Sequence, residues 1–244
     1  MVSLDGLKMK IFATIRFYYG AAIISLVAAG IMVPLLVFFR SKRNFILHYF
    51  NKVIIFLIGG KIITHGTRDN HANMFVMNHQ GIIDIIAMEA AEKTDMQWVA
   101  KKQLFDAPWF GYLLKLPEMI EVDRENKSGL IKLLRHAKET KEHTNRVIAI
   151  FPEGTRSNKQ ALLKFKAGTR LIIEKLKMKI QPVIITNSKK LLNEHNKTAH
   201  SSTVHISYME TFHVDGSDKE WYNNLQKLMQ EKIDEEYHKY ERER

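Results

Sequence analysis

The chain has no cysteine among its 244 residues. That excludes disulfides, thiolate zinc sites and any acyl-thioester intermediate carried on the protein itself. It also has no G-x-S-x-G elbow, no Walker A loop and no G-x-G-x-x-G fingerprint. The serine-hydrolase, P-loop nucleotidase and dinucleotide-oxidoreductase classes lose the local geometry their chemistry needs. Zinc-finger spacing, an RNP-like aromatic motif and a basic heptad region are missing as well. Internal repeats, low-complexity tracts and an interdomain linker are likewise absent.

The apolar share of 45% suffices for the core of one α/β domain, with a short segment to spare. The net charge of +11 favours anionic partners such as acidic lipid headgroups, phosphates or an acidic carrier protein. The lysines and arginines are spread along the chain and form no nucleic-acid footprint, so no nucleic-acid partner is expected.

Phe17 to Phe39 is a run of 23 residues without a charge. As a helix it is roughly 35 Å long, enough to cross a hydrocarbon core of about 30 Å. Lys8, Lys10 and Arg16 precede it, and Arg40, Lys42 and Arg43 follow. The length and the basic cluster after it speak against a cleaved signal peptide and for a retained anchor. Positive charge on both flanks leaves a simple span without a clear orientation. A helix that dips in and returns, broken at Gly30 and Pro34, resolves this. Ile46, Phe50, Val53, Ile54, Leu57 and Ile58 then form a second helical stripe that Gly59-Gly60 stops. The expected division is a two-helix membrane anchor over residues 1–60 and an α/β domain over 61–244. The competing account makes Phe45 to Ile58 a core-facing helix of the domain.

Beyond Gly60 the pattern alternates in type. Strands are predicted over 74–77, 97–100, 119–122, 147–151, 180–185 and 204–210. Helices are predicted over 82–92, 108–114, 129–143, 167–177 and 217–240. Such alternation predicts a mostly parallel central sheet flanked by helices on both faces. Pro182 suggests that its strand lies at an edge or a bulge. The polar stretch 187–202 reads as a solvated surface loop.

Functional loops of such sheets gather at the carboxyl ends of strands. Three candidates fall there. The first is Asn78-His79-Gln80-Gly81-Ile82-Ile83-Asp84. His79 can take a proton near neutral pH, and Asp84 can orient and charge-stabilise the ring. Five helical positions set two side chains about 140° apart, so the pair works only if His79 precedes the helix and Asp84 lies one turn inside. No serine or cysteine nucleophile accompanies them, which points to removal of a proton from a substrate hydroxyl. A capping histidine beside an unrelated aspartate remains open on spacing alone. The second candidate is Phe151-Pro152-Glu153-Gly154-Thr155-Arg156-Ser157. Arg156 offers a planar fork for phosphate, Gly154 allows a close backbone approach, and Thr155 and Ser157 add hydroxyls. Glu153 is expected either to accept from a substrate hydroxyl or to hold Arg156. The third is Asp123-Arg124; Lys101-Lys102 is a weaker addition. No metal-ligand spacing is seen, and no cofactor is implied.

Together these stretches resemble the glycerolipid acyltransferase family, in particular its bacterial 1-acyl-sn-glycerol-3-phosphate acyltransferases. The family's Asn-His block, with four residues and then Asp, matches Asn78, His79 and Asp84. Its Asp-Arg pair after an apolar strand matches Asp123-Arg124. Its Phe-Pro-Glu-Gly-Thr-Arg-Ser run is matched in full by 151–157, and its proline within an apolar strand by Pro182. The resemblance covers roughly residues 60–210. Gly81 stands where the family often has Ser, Glu118 and Glu121 where small or apolar residues are usual, and Gln181 where Val is frequent.

The resemblance implies acyl transfer from acyl-CoA or acyl carrier protein to the sn-2 hydroxyl of lysophosphatidic acid, giving phosphatidic acid. It implies His79 and Asp84 as catalytic residues, and Arg124, Glu153, Gly154, Thr155 and Arg156 at the glycerol phosphate, with Lys101 assisting. The expected location is the inner, cytoplasmic membrane with the domain facing the cytoplasm. Another acceptor, such as glycerol 3-phosphate or a different lysolipid, and a non-catalytic membrane-anchored lipid binder are the alternatives.

Overall fold

The computed structural model describes residues 4–123, 127–214 and 218–240. It opens on helix α1 (Leu4–Ser25), which runs through a π-helical stretch, Leu26–Met32, into α2 (Val33–Phe38). The expected break at Gly30 and Pro34 does not occur. Pro34 follows directly on the wider π turns, which absorb the change of register, and the helix continues through it. The chain reverses instead at the short turn Arg40–Lys42 and returns as α3 (Arg43–Leu57). The helix Asp5–Phe38 is long and apolar enough to cross a membrane. Much of its surface, including Leu7, Ile11, Phe12, Ile15, Leu26 and Phe38, is exposed.

The remaining elements follow in order: β1 (Gly60–His65), β2 (Met74–Met77), α4 (Ile82–Ala91), β3 (Met96–Lys101), α5 (Lys102–Phe105), α6 (Tyr112–Lys115), β4 (Ile120–Val122) and α7 (Lys127–His143). Then come β5 (Val147–Ile150), α8 (Ala167–Leu176), β6 (Lys179–Thr186), α9 (Ser188–Leu191), β7 (Ser202–Tyr208), β8 (Phe212–His213) and α10 (Trp221–Lys239). The sheet order is β1-β7-β6-β2-β5-β3-β4, with β8 on β6. All neighbours pair parallel except β6 with β7 and β6 with β8. The fold is therefore α/β with a mostly parallel sheet.

Alternation along the central strands divides the core in two. Phe75, Met77, Ala149, Val183 and Ile185 face one side, against α3 and α4 through Ile46, Ile54, Ile83 and Ile86. Met74, Val76, Ile148, Ile150, Ile180 and Ile184 face the other, against α7, α8 and α10 through Leu133, Ile172, Leu225 and Met229. The second expected anchor helix, α3, packs on the domain as well as on the N-terminal helix.

Two expectations are corrected. Pro182 sits in a central strand, opposite Val76. It is tolerated because it falls between the pairing of Ile180 with Phe212 and that of Val183 with Tyr208, where its missing N–H breaks no ladder. Strand β1 is an addition to the expected strands. It alternates weakly and owes its pairing to β7, well over a hundred residues away.

Candidate active site

Strands β2, β5 and β3 are neighbours and run parallel, so the loops at their carboxyl ends open on one side. His79 follows β2, Glu153 to Arg156 follow β5, and Lys101 ends β3. Arg124 lies outside the described residues.

His79 precedes α4 by three residues, and Asp84 lies in its first turn. Asp84 is 0% exposed. Its Oδ2 accepts from His79 Nδ1 at 2.9 Å and from the backbone N–H groups of Gln80 at 2.5 Å and Gly81 at 2.8 Å. The carboxylate therefore caps the helix and holds the imidazole at once. Nδ1 faces an acceptor that two amides already anchor, so Nδ1 carries a proton, and in the neutral ring Nε2 is the nitrogen that bears the lone pair. The ring lies flat on Phe151, with centroids 3.8 Å apart and planes 7° apart. Below it, Asn78 exchanges both amide hydrogen bonds with Ile185 on β6, at 2.8 and 2.7 Å, which fixes the loop to the sheet.

Glu153 does not hold Arg156 and does not line the cavity beside His79. It is 0% exposed, and its oxygens accept from the N–H groups of His79 at 2.8 Å and Leu163 at 2.7 Å. Burial pushes its carboxyl up to about 7, against the pull of these two amides. Its place is to tie the β2 and β5 loops together. Ser157 likewise turns inward; its hydroxyl lies within reach of the carbonyls of Lys159 and Ala161 and donates to one of them, and its N–H donates to the His79 carbonyl. Gly154 takes φ +69°, a left-handed turn that brings Thr155 and Arg156 back to the opening.

The partner of Arg156 is a residue the sequence did not single out. Nη1 donates to Oε1 of Glu194 at 3.0 Å, and the same oxygen accepts from Ile82 N–H, the first residue of α4, at 3.1 Å. Glu194 belongs to the stretch 187–202, expected to be plain solvated loop. That expectation fails because a local turn, closed by Asn193 and Thr198, carries the carboxylate to the site. Only tertiary structure joins positions 82, 156 and 194.

A chamber of about 740 Å³ opens here. His79, Lys101, Gly154, Thr155 and Arg156 line it on the sheet side. Ile24, Ala28 and Met32 of the N-terminal helix and Ile82, Ile86 and Trp98 supply apolar walls. Its size is in the range of sites that enclose a small ligand. Glu89 lies on its wall, buried, with an oxygen 2.6 Å from Trp98 Nε1; burial pushes it up to about 7. Among the described residues no group of three or more His, Asp or Glu is arranged to hold a metal.

An imidazole held by a buried carboxylate, a guanidinium on the same chamber and walls built partly from an apolar N-terminal helix make an α/β site suited to acid–base chemistry on a ligand with an apolar part. The acyltransferase family model matches residues 61–186, and the chain belongs to that family. It is 37% identical over 200 residues to a 1-acyl-sn-glycerol-3-phosphate acyltransferase of Helicobacter pylori, with 82% of each chain covered. It is 24% identical to an enzyme of the same name from Cocos nucifera, over 75% of this chain and 59% of that one. The crystal structure of the 1-acyl-sn-glycerophosphate acyltransferase from Thermotoga maritima superposes with a TM-score of 0.73 over 93% of this chain and 95% of that one. At 20% identity this last likeness is one of fold.

Proposed function

We propose that the protein transfers a fatty acyl group from acyl-CoA or acyl carrier protein to the sn-2 hydroxyl of lysophosphatidic acid, giving phosphatidic acid for phospholipid synthesis. His79 Nε2 takes the hydroxyl proton. The oxygen attacks the thioester carbonyl, the tetrahedral adduct collapses, and the thiolate leaves with its electron pair. The imidazolium then returns the proton to the thiolate, and the dyad is restored. A thiol with a pKa of about 8.5 is a good leaving group, so no separate acid is needed to expel it. Asp84 fixes the tautomer and stabilises the imidazolium. Arg156 takes the acceptor's phosphate, with Thr155, the backbone at Gly154 and Lys101 around it and Arg124 assisting.

Residues 1–60 form the membrane anchor and 61–244 the catalytic domain. The domain faces the cytoplasm from the inner membrane, and the acceptor enters from the bilayer between the N-terminal helix and α4. The observation that carries this reading is that the imidazole of His79 and the side chain of Arg156 line one apolar chamber. The test is a transfer assay with the purified full chain, comparing lysophosphatidic acid, glycerol 3-phosphate and a second lysophospholipid against both donor types. Preference for lysophosphatidic acid is the expected result. Equal or better transfer to either of the other acceptors would refute it.

A further inference from the structure

Glu194 has no place in the reaction just described, yet it contacts Arg156 and the start of α4. Its Oε1 bridges the Arg156 guanidinium and the first N–H of α4, 3.0 and 3.1 Å away. These are the two kinds of donor, a planar cation and a helix-terminal amide, that bind phosphate oxygens. A carboxylate placed there engages them as a bound phosphate ester would.

Two features make the contact reversible. The pair is partly solvated, with Arg156 45% and Glu194 30% exposed, and ion pairs of that kind are weak. The turn that carries Glu194 is held apart from the contact by the mutual backbone bonds of Asn193 and Thr198. Ala199 N–H donates to the Ala13 carbonyl of α1, so the loop is also pinned to the N-terminal helix. Release therefore needs only rotation about side-chain bonds, with no loop opening. The seat also lies close against Gly81. A Cβ at that position would lie 3.0 Å from Glu194 Oε2, tighter than ordinary contact.

We infer that Glu194 is a specificity-determining residue that occupies the phosphate subsite in the resting enzyme and is displaced by the acceptor's dianionic headgroup. The inference rests on the proposal that Arg156 binds the acceptor's phosphate. Glu194 keeps the guanidinium and the α4 amide satisfied when no acceptor is bound. It also sets a threshold: a headgroup must carry enough negative charge to outcompete a carboxylate already in place.

The test is steady-state kinetics of the full-length enzyme and its Glu194→Gln and Glu194→Ala variants in mixed micelles. The acceptors are lysophosphatidic acid and, as a phosphate-free counterpart, 1-monoacylglycerol. Removing the competing charge lowers the KM for lysophosphatidic acid about two- to fivefold, as expected for a partly exposed ion pair. The KM for the thioester and the poor use of monoacylglycerol stay where they are, and inorganic phosphate becomes a stronger competitive inhibitor. An unchanged KM for lysophosphatidic acid overturns the inference. A raised KM overturns it too, by making Glu194 a strut for Arg156, as does failure of both variants to fold. Arg156→Ala is measured alongside. If it raises the acceptor KM while Glu194→Gln does not lower it, only the role of Glu194 falls. If Arg156→Ala leaves that KM unmoved, the phosphate assignment itself falls.

Discussion

Replacing Asp84 by asparagine separates two contributions that one carboxylate makes. In the Asp84→Asn variant a single side-chain oxygen remains, and its orientation is not free. The N–H groups of Gln80 and Gly81, 2.5 and 2.8 Å from Oδ2, demand an acceptor there. Turning the NH₂ toward them would set donors against donors, which is costly for a group that is 0% exposed. The oxygen therefore stays on the side of the capping amides, which is also the side of His79 Nδ1 at 2.9 Å. The tautomer survives, with Nε2 still a lone pair, and what is lost is the negative charge. Two unit charges about 4 Å apart at an effective dielectric near 20 interact by about 4 kcal/mol, which is roughly a factor of 10³ in rate.

We expect Asp84→Asn to lower kcat about 10²- to 10³-fold while costing the fold only about 1–2 kcal/mol, the difference between charge-assisted and neutral hydrogen bonds at the helix cap. Asp84→Ala should lose the cap as well and unfold at a lower temperature than Asp84→Asn. The assay is release of free thiol from acyl-CoA at saturating lysophosphatidic acid, read with a chromogenic disulfide, beside thermal melts of both variants. A kcat for Asp84→Asn within about fivefold of wild type would falsify the claim that the charge works on the imidazolium.

Four further outcomes follow from the same geometry. His79→Ala should remove about 10²–10⁴ of turnover with the melting temperature little changed, and near-normal activity would end its role as base. Arg156→Ala should raise the KM for lysophosphatidic acid more than that for the thioester; the reverse pattern would remove it from the phosphate. Asn78→Ala leaves the N–H and C=O of Ile185 buried without their partner at 2.7 and 2.8 Å, so stability should drop by about 2–4 kcal/mol, read by denaturant melts. Glu89 is held at about 7 by burial, above its ordinary value near 4.5, so its contribution is full below about pH 4.5 and is lost as pH rises through 7. Glu89→Gln keeps an acceptor for Trp98 and should flatten the decline in melting temperature between about pH 5 and pH 7.5 by one proton's worth, about 1.4 kcal/mol per pH unit; an unchanged slope would contradict the burial argument.

What could be read from the sequence was what short spacing controls. His79 and Asp84 are five residues apart, and the apolar run before them forces a strand to end where they begin, so their meeting at a helix start follows from backbone geometry. The strands β2, β5 and β6 announced themselves because both faces are buried, which makes the runs apolar throughout. Strand β1 had no such run, since much of it stays half-covered at the edge of the sheet.

Charge pairing was the part that spacing could not reach. Glu153 and Glu194 are both acidic residues in loops after strands, and nothing local separates them. Yet one is sealed in the interior, where it ties two loops, and the other is partly exposed and paired with Arg156. The difference is decided by which strands are neighbours. β5 lies beside β2, which places Glu153 beneath His79. β6 lies on the other side of β2, so the loop that follows it approaches the start of α4 and delivers Glu194 there. The chemistry of the site is thus legible in two local motifs, but its electrostatics belongs to the topology, and substitutions at position 194 test the topology as directly as those at 79 test the motif.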